Sequence, residues 1–550
     1  MSSRRAAWAA VAVGWLATPF AAGAQTALDR VDPAKIEAKT PREDKSVSDV
    51  RLPTPAAPVV AASPAEQPIT VGAITLAGLE RTRPSDFADI FEIYAGRPLS
   101  PGALAGLADA IADRLHKRGY VFATAAILPQ TLDAGVLRVT VDEGRVDELR
   151  FQGADNAAVR AALAPLVGAG PVTLAEVERR LLIAGDVDGV WLRRTRFVRE
   201  GTRDILVVDV GADRTSAVLG VDNYGSRPIG PIEADLTVKA SQLLGPADLL
   251  TLSGVLTAAQ PREFAYGRAR YSTRVSRDGT ELSAAFSYSE AHPGSYLRSR
   301  DIAGRSWLFS AGALQPLLRR REQSLWFDAS FSLRTVKQDR EGLLARRDKL
   351  TVARIGVYGF TALLGGRLRA DATVSQGLDL FGATRRGDPR ASRSDADGTF
   401  TTVSLSGDWT GPVAGPVSAQ VSAAAQIASQ PLLVSEEVGL GGGQFLRGYD
   451  YSERTGDDGV MASGELRYGF APKIGPLRKP VVYSFVDGGR VTNLEHGFGT
   501  GTLFSAGGGV RSALGQRVFA DVGVAFPLSG PRYDSGNADP VFTLRVTTRF

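Results

Sequence analysis

The chain has no cysteine in 550 residues. That excludes a disulfide framework and thiolate metal sites, and it suits a route through an oxidising compartment. Histidine is almost as scarce: His116, His292 and His496 are scattered and give no metal-ligand spacing. The 64 basic and 59 acidic residues leave a net charge of +5 with no basic block, so no nucleic-acid footprint is present. Beyond the first 24 residues no run of eighteen apolar residues occurs, which excludes a spanning helix. A Gly-x-Ser-x-Gly elbow, a phosphate loop ending in Gly-Lys-Ser/Thr and a suggestive carboxylate pair are also missing. No enzyme activity and no cofactor are expected.

What is present begins with an export pattern. Arg4 and Arg5 precede the short apolar run "AAWAAVAVGWLATPF", and Ala22-Gly23-Ala24 supplies the small residues of a cleavage site. Residues 1–24 read as a signal peptide, cut between Ala24 and Gln25. Residues 25–68 follow as a separate segment. Within it "DRVDPAKIEAKTPRED" favours a short helix over about Pro33–Lys39, and Pro53, Pro55, Pro58, Pro64 and Pro68 make an extended linker.

From Ile69 two small mixed modules follow, over 69–143 and 144–213. "ITVGAITLAGL" alternates like a strand, and Leu104, Leu107, Ala108, Ile111 and Leu115 share a helical face closed by Gly119. "VFATAAILP" and "GVLRVTVDEG" then read as strands. The order recurs in "GRVDELRFQG", helices near Ala157–Val167 and Thr173–Ala184, and the strands "WLRRTRFVREG" and "RDILVVDVGAD". A repeat of that kind marks tandem domains.

Over 214–550 the helical period disappears. In "SLWFDASFSLR", Leu325, Phe327, Ala329, Phe331 and Leu333 oppose Asp328, Ser330, Ser332 and Arg334. In "YGRARYSTRV" the residues Arg268, Arg270, Ser272 and Arg274 share a face, and Asp278-Gly279 makes a hairpin. Soluble sandwiches alternate too, but with strands of about 5–6 residues. Runs of about 9–11 residues, some sixteen of them, predict a membrane barrel. In the last run, "VFTLRVTTRF", an arginine at the lipid midplane would cost about 2–4 kcal/mol. Arg545 and Arg549 therefore face the lumen, opposite Phe542, Leu544, Val546 and Phe550.

"LGGGQFLRGYD" (Leu440–Asp450) is too long a glycine-rich connection for a periplasmic turn. One strand later, "PVVYSFVDGGRV" puts Tyr483, Phe485 and Asp487 on one face, and a carboxylate is unfavourable in lipid. The two together predict an inward-folded loop held by a bidentate Arg447–Asp487 pair.

At these residues the chain resembles the superfamily of outer-membrane barrels that assemble or secrete proteins. Arg447, Gly448 and Tyr449 look like the tip of its sixth extracellular loop, and Phe485, Asp487 and Gly488 like its Phe-x-Asp-Gly strand motif. Phe550 resembles the terminal aromatic that such barrels present to the assembly machinery. "RGYVFATAAILPQTLDAGVLRVTVDEG", the two repeats and "LGVDNYGSRPIGPIEADL" point to the two-partner secretion transporters of haemolysin and adhesin type. The resemblance covers about residues 69–550. It implies a mainly β fold: a 16-stranded antiparallel transmembrane barrel preceded by two α+β POTRA domains, in the outer membrane with the POTRA domains in the periplasm. It also implies partners: a large secreted β-helical exoprotein of haemolysin, adhesin or contact-dependent toxin type, outer-membrane lipid and the barrel-assembly machinery. The family often carries a pore-plugging helix, which residues 25–45 match by position alone. The competing expectation is an assembly factor that inserts other barrels, and a passive porin leaves the mixed modules unexplained.

Overall fold

The computed structural model describes residues 27–38, 68–201, 203–470 and 473–550. The expected signal with its Ala24–Gln25 junction and the proline-rich stretch up to residue 67 lie outside these residues.

In the first module the helix Pro101–Lys117 starts where Ser100 Oγ accepts the Ala103 amide, with proline at its first position. Leu107, Ala108, Ile111 and Leu115 bury one face against Leu137, Val139 and Val141. Each large side chain so buried contributes about 1.5–3 kcal/mol. "ITVGAITLAGL", expected as one strand, is split at Gly72, whose amide donates to Gly135 O at 2.8 Å. Ile69–Val71 pairs antiparallel with Arg97–Leu99, a three-residue strand too short to show a period. Ala73–Ala77 pairs parallel with Val136–Asp142.

Glu143 closes this module. Its buried carboxylate accepts from the Glu80 amide at 2.9 Å, the Arg81 amide at 2.7 Å, the Thr82 amide at 2.9 Å and the Thr82 hydroxyl. Burial pushes its pKa up, but these hydrogen bonds outweigh burial and hold it below the ordinary glutamate value. The resulting stabilisation is complete above the ordinary value, about 4.3, and is lost as pH falls through the lowered one. Glu143→Ala is expected to destabilise the 80–82 corner by about 1.5–3 kcal/mol. Faster amide exchange confined to the first module is the measurement that checks it.

The second module's helix Leu174–Gly185 carries a capping box, Thr173 with Glu176. Its sheet runs in the order Glu148–Gly153, Arg203–Ala212, Val190–Glu200. The two modules lock together: Phe122 stacks on Phe197 at 4.1 Å, and Arg199 Nη2 donates to Asp142 at 2.8 Å. The second module rests on the barrel's turns. Arg319, 1% exposed, forks onto Asp186 at 2.7 and 2.8 Å, and Arg180 reaches Asp278 of the Asp278-Gly279 hairpin at 2.9 Å.

Sixteen antiparallel strands among the described residues close the barrel, the first (Thr215–Asp222) pairing with the last (Val541–Arg549). The alternation has the expected sense. Phe286, Phe327, Val486, Phe542 and Leu544 are exposed, whereas Ser289, Asp487 and Ser505 are fully covered. Arg545 faces inward and reaches Asp235 at 2.8 Å. Phe550 is exposed at the closing seam, where its amide donates to Ala217 O at 2.9 Å. The sixth, seventh and eighth strands (Ile302–Arg319, Gln323–Arg340, Leu343–Leu363) are 18, 18 and 21 residues long. They exceed the expected 9–11 because they keep pairing with one another beyond membrane height.

Candidate functional site in the barrel lumen

The loop between the strands Val417–Ala428 and Asp458–Gly469 folds back into the lumen. Its glycines explain how. Gly441 and Gly442 have φ of +113° and +105°, and a Cβ on Gly441 would meet Asp450 O at 2.0 Å. The Gly442 amide then donates to Tyr449 O at 3.1 Å, closing the turn. Gly448 lies against the fifteenth strand, Val518–Pro527, and its Cβ would sit 2.9 Å from Pro527 N. Only glycine lets the loop tip lie flat on that wall.

Arg447, between these contacts, meets Asp487 three times. Its Nε donates to Oδ2 at 3.1 Å, its Nη2 to Oδ1 at 2.9 Å, and its backbone amide to Oδ2 at 3.1 Å. The guanidinium also lies over the Phe485 ring, 3.4 Å from the centroid. Ser463 and Ser505 hydroxyls donate to Asp487 at 2.7 and 3.3 Å, so the buried carboxylate is fully satisfied. Gly488 follows because a Cβ there would lie 2.8 Å from the Phe504 ring. Tyr449 anchors the tip's other side, its hydroxyl accepting from the Ser529 amide at 2.8 Å and donating to Gly530 O at 3.3 Å. The structure thus brings together Arg447, Gly448, Tyr449, Phe485, Asp487 and Gly488, and leaves Phe550 apart at the seam.

Sequence reasoning missed that this pair is part of a larger network. Arg447 Nη1 donates to Glu465 at 2.6 Å, and Glu465 also receives Arg467 and Arg511, each at 2.7 Å. Arg511 continues to Asp521 at 2.7 Å and covers the Tyr483 ring at 3.9 Å. The signal was available in the alternation of "GELRYG", "GVRSAL" and "FADVGV", whose charges must all face inward. Their mutual pairing depends on the register across four strands.

Residues 27–38 also lie in the lumen, as the helices Ala27–Arg30 and Pro33–Ala38. Val31 is buried with Phe264, Tyr266 and Ile302. Gln338 Nε2 donates to Leu28 O at 2.7 Å, Asp29 pairs with Arg346, and Lys35 Nζ meets Glu437 at 3.1 Å. Glu437 in turn receives Arg393 at 3.1 Å, and Arg393 reaches buried Asp457 at 2.8 Å. One chain of charges ties the lumen helix to two extracellular loops. Lys35→Glu would place two carboxylates in a buried contact, a penalty of about 3–5 kcal/mol that releases the helix. Higher single-channel conductance in planar bilayers is the expected result.

No group of three or more metal-ligating side chains is present among the described residues. Residues 201–512 match the family model of haemolysin secretion/activation protein ShlB/FhaC/HecB, and residues 69–144 match the POTRA domain of ShlB type. The chain is 24% identical over 472 residues to the outer membrane transporter CdiB of Escherichia coli, covering 81% of this chain and 77% of that protein. It is 24% identical over 396 residues to the heme/hemopexin transporter protein HuxB of Haemophilus influenzae, covering 70% and 69%. The solved structure of CdiB from Escherichia coli superposes with a TM-score of 0.73 at 22% identity, over 90% of this chain and 94% of that one, a likeness of fold.

Proposed function

The chain belongs to the haemolysin secretion/activation protein family ShlB/FhaC/HecB, and on that premise we propose how its lumen carries out export. It is a two-partner secretion transporter of the outer membrane, with its POTRA region in the periplasm, and its family exports partner exoproteins. The proposal concerns the parts. The partner is a large exoprotein with a β-helical repeat pattern that arrives unfolded. An open sheet edge in a POTRA module, such as Ala73–Ala77 of the first, captures it by strand addition. The extended chain then passes through the polar lumen, and folding outside drives it on. Phe550, outward at the seam, is the residue the barrel-assembly machinery reads.

The Arg447 constellation is the switch element of this reading. The single observation that carries it is that one arginine joins a loop tip to two wall carboxylates, Asp487 and Glu465, while stacked on Phe485. Such a joint holds the loop in one position and, once broken, frees it as a unit. Co-expression with candidate exoproteins of β-helical repeat pattern tests the reading. The partner is expected in the medium only when the transporter is present, and equal release without it refutes the proposal.

A further inference from the structure

The barrel's outer wall carries a row of cations that export does not use. Gly304, Gln338 and Arg346 point into the lumen, where all three meet the N-terminal helical segment. Their neighbours Arg305, Lys337 and Arg347 therefore point outward. These three lie side by side: Arg305 pairs in register with Lys337, and Lys337 with Arg347. Like charges directly opposite one another are destabilising in a sheet. Lys349, two residues along the same face, adds a fourth cation opposite Thr335, which itself opposes Trp307.

Two carboxylates answer the row's first member, Arg305: Glu290 stands opposite it in register, and Asp339 pairs with it at 2.6 Å. Lys337, Arg347 and Lys349 have no carboxylate within 4 Å among the described residues. The row's height is also set. On the eighth strand the outward positions from Ala353 to Leu363 carry no charge. Ten residues at about 3.4 Å each, tilted about 40°, make about 26 Å, the height of a barrel's apolar band. Arg347 and Lys349 stand just beyond it on the extracellular side. Trp307 is exposed at the band's edge, and the connection after the ninth strand brings an exposed corner alongside. There Thr384 N donates to Lys349 O at 2.9 Å, and Phe381 is 71% exposed.

Unpaired cations above, aromatic side chains below and lipid alongside match one ligand chemistry: a phosphate group on an acylated lipid. We propose that Arg305, Lys337, Arg347 and Lys349 form a binding site for a phosphorylated glycolipid of the outer leaflet, with Trp307 and Phe381 against its acyl chains. The outer leaflet is the source because the row lies at the end of the barrel away from the POTRA modules. The inference rests on the outer-membrane orientation but not on the export mechanism, so its test reads lipid retention and leaves secretion aside.

Full-length chain purified in mild detergent is incubated with bis-phosphorylated lipid A, with its dephosphorylated form, or with phosphatidylglycerol, and retained lipid is counted by native mass spectrometry. Wild type is expected to hold lipid A under conditions that strip the other two. The triple variant Lys337→Gln, Arg347→Gln, Lys349→Gln loses about tenfold or more of that retention. The variant Lys337→Arg, Lys349→Arg keeps it. Unchanged retention by the triple variant overturns the site, as does equal retention of dephosphorylated lipid or phosphatidylglycerol by wild type. The wild-type comparison decides the matter even where a variant fails the heat-shift assay for a folded barrel.

Discussion

Arg447→Ala is expected to cut secretion at least about tenfold while the barrel stays inserted and heat-resistant. Removing one partner of a buried ion pair costs about 3–5 kcal/mol, because the other charge is left uncompensated. Here the stranded groups are Asp487 and Glu465. Glu465 keeps Arg467 and Arg511, so the loss falls mainly on Asp487 and on the loop that covered it. The loop can leave and water can refill the lumen, whereas the strand ladder closes without Arg447. The penalty therefore appears as loop position rather than as barrel unfolding. Partner in the medium, set against heat-shifted barrel in the membrane, separates the two. A charge exchange, Arg447→Asp with Asp487→Arg, is not expected to restore much function, since an aspartate at 447 would face Glu465.

Deletion of residues 69–143 should abolish secretion without blocking outer-membrane insertion. The first module contributes no strand to the barrel wall, which is closed by residues 215–549. It does cover Phe197 and hold Arg199 through Asp142, so its removal exposes part of the second module. Phe122→Ala with Asp142→Asn, which loosens the same contact but keeps the module, is the companion variant. Lost export from the deletion with export retained by the companion assigns the effect to capture. Normal export from the deletion reduces the module to a spacer.

Much of this architecture was legible in the residues. Alternation identifies wall strands because lipid and lumen impose opposite polarity on successive side chains, and Phe286 and Ser287 in one strand already show it. The Arg447–Asp487 contact was readable for a similar reason: a carboxylate on a wall strand must face inward and needs a cation. Glu465 was harder, because its three arginines come from a loop, its own strand and a strand further round the barrel. Such convergence depends on register, which no local pattern encodes. The split at Gly72 was hidden for the opposite reason. Two short strands and one long one share the same alternation, and which neighbour each half pairs with is a tertiary matter.

Export by this chain is tested most directly by deleting it from its own host. Exoprotein in the medium and the abundance of outer-membrane barrels are quantified together in the deleted and complemented strains. The partner is expected to disappear from the medium and to accumulate or be degraded in the periplasm, while other barrels keep their levels. Loss of other barrels with the partner still exported would contradict this expectation and identify an assembly factor instead.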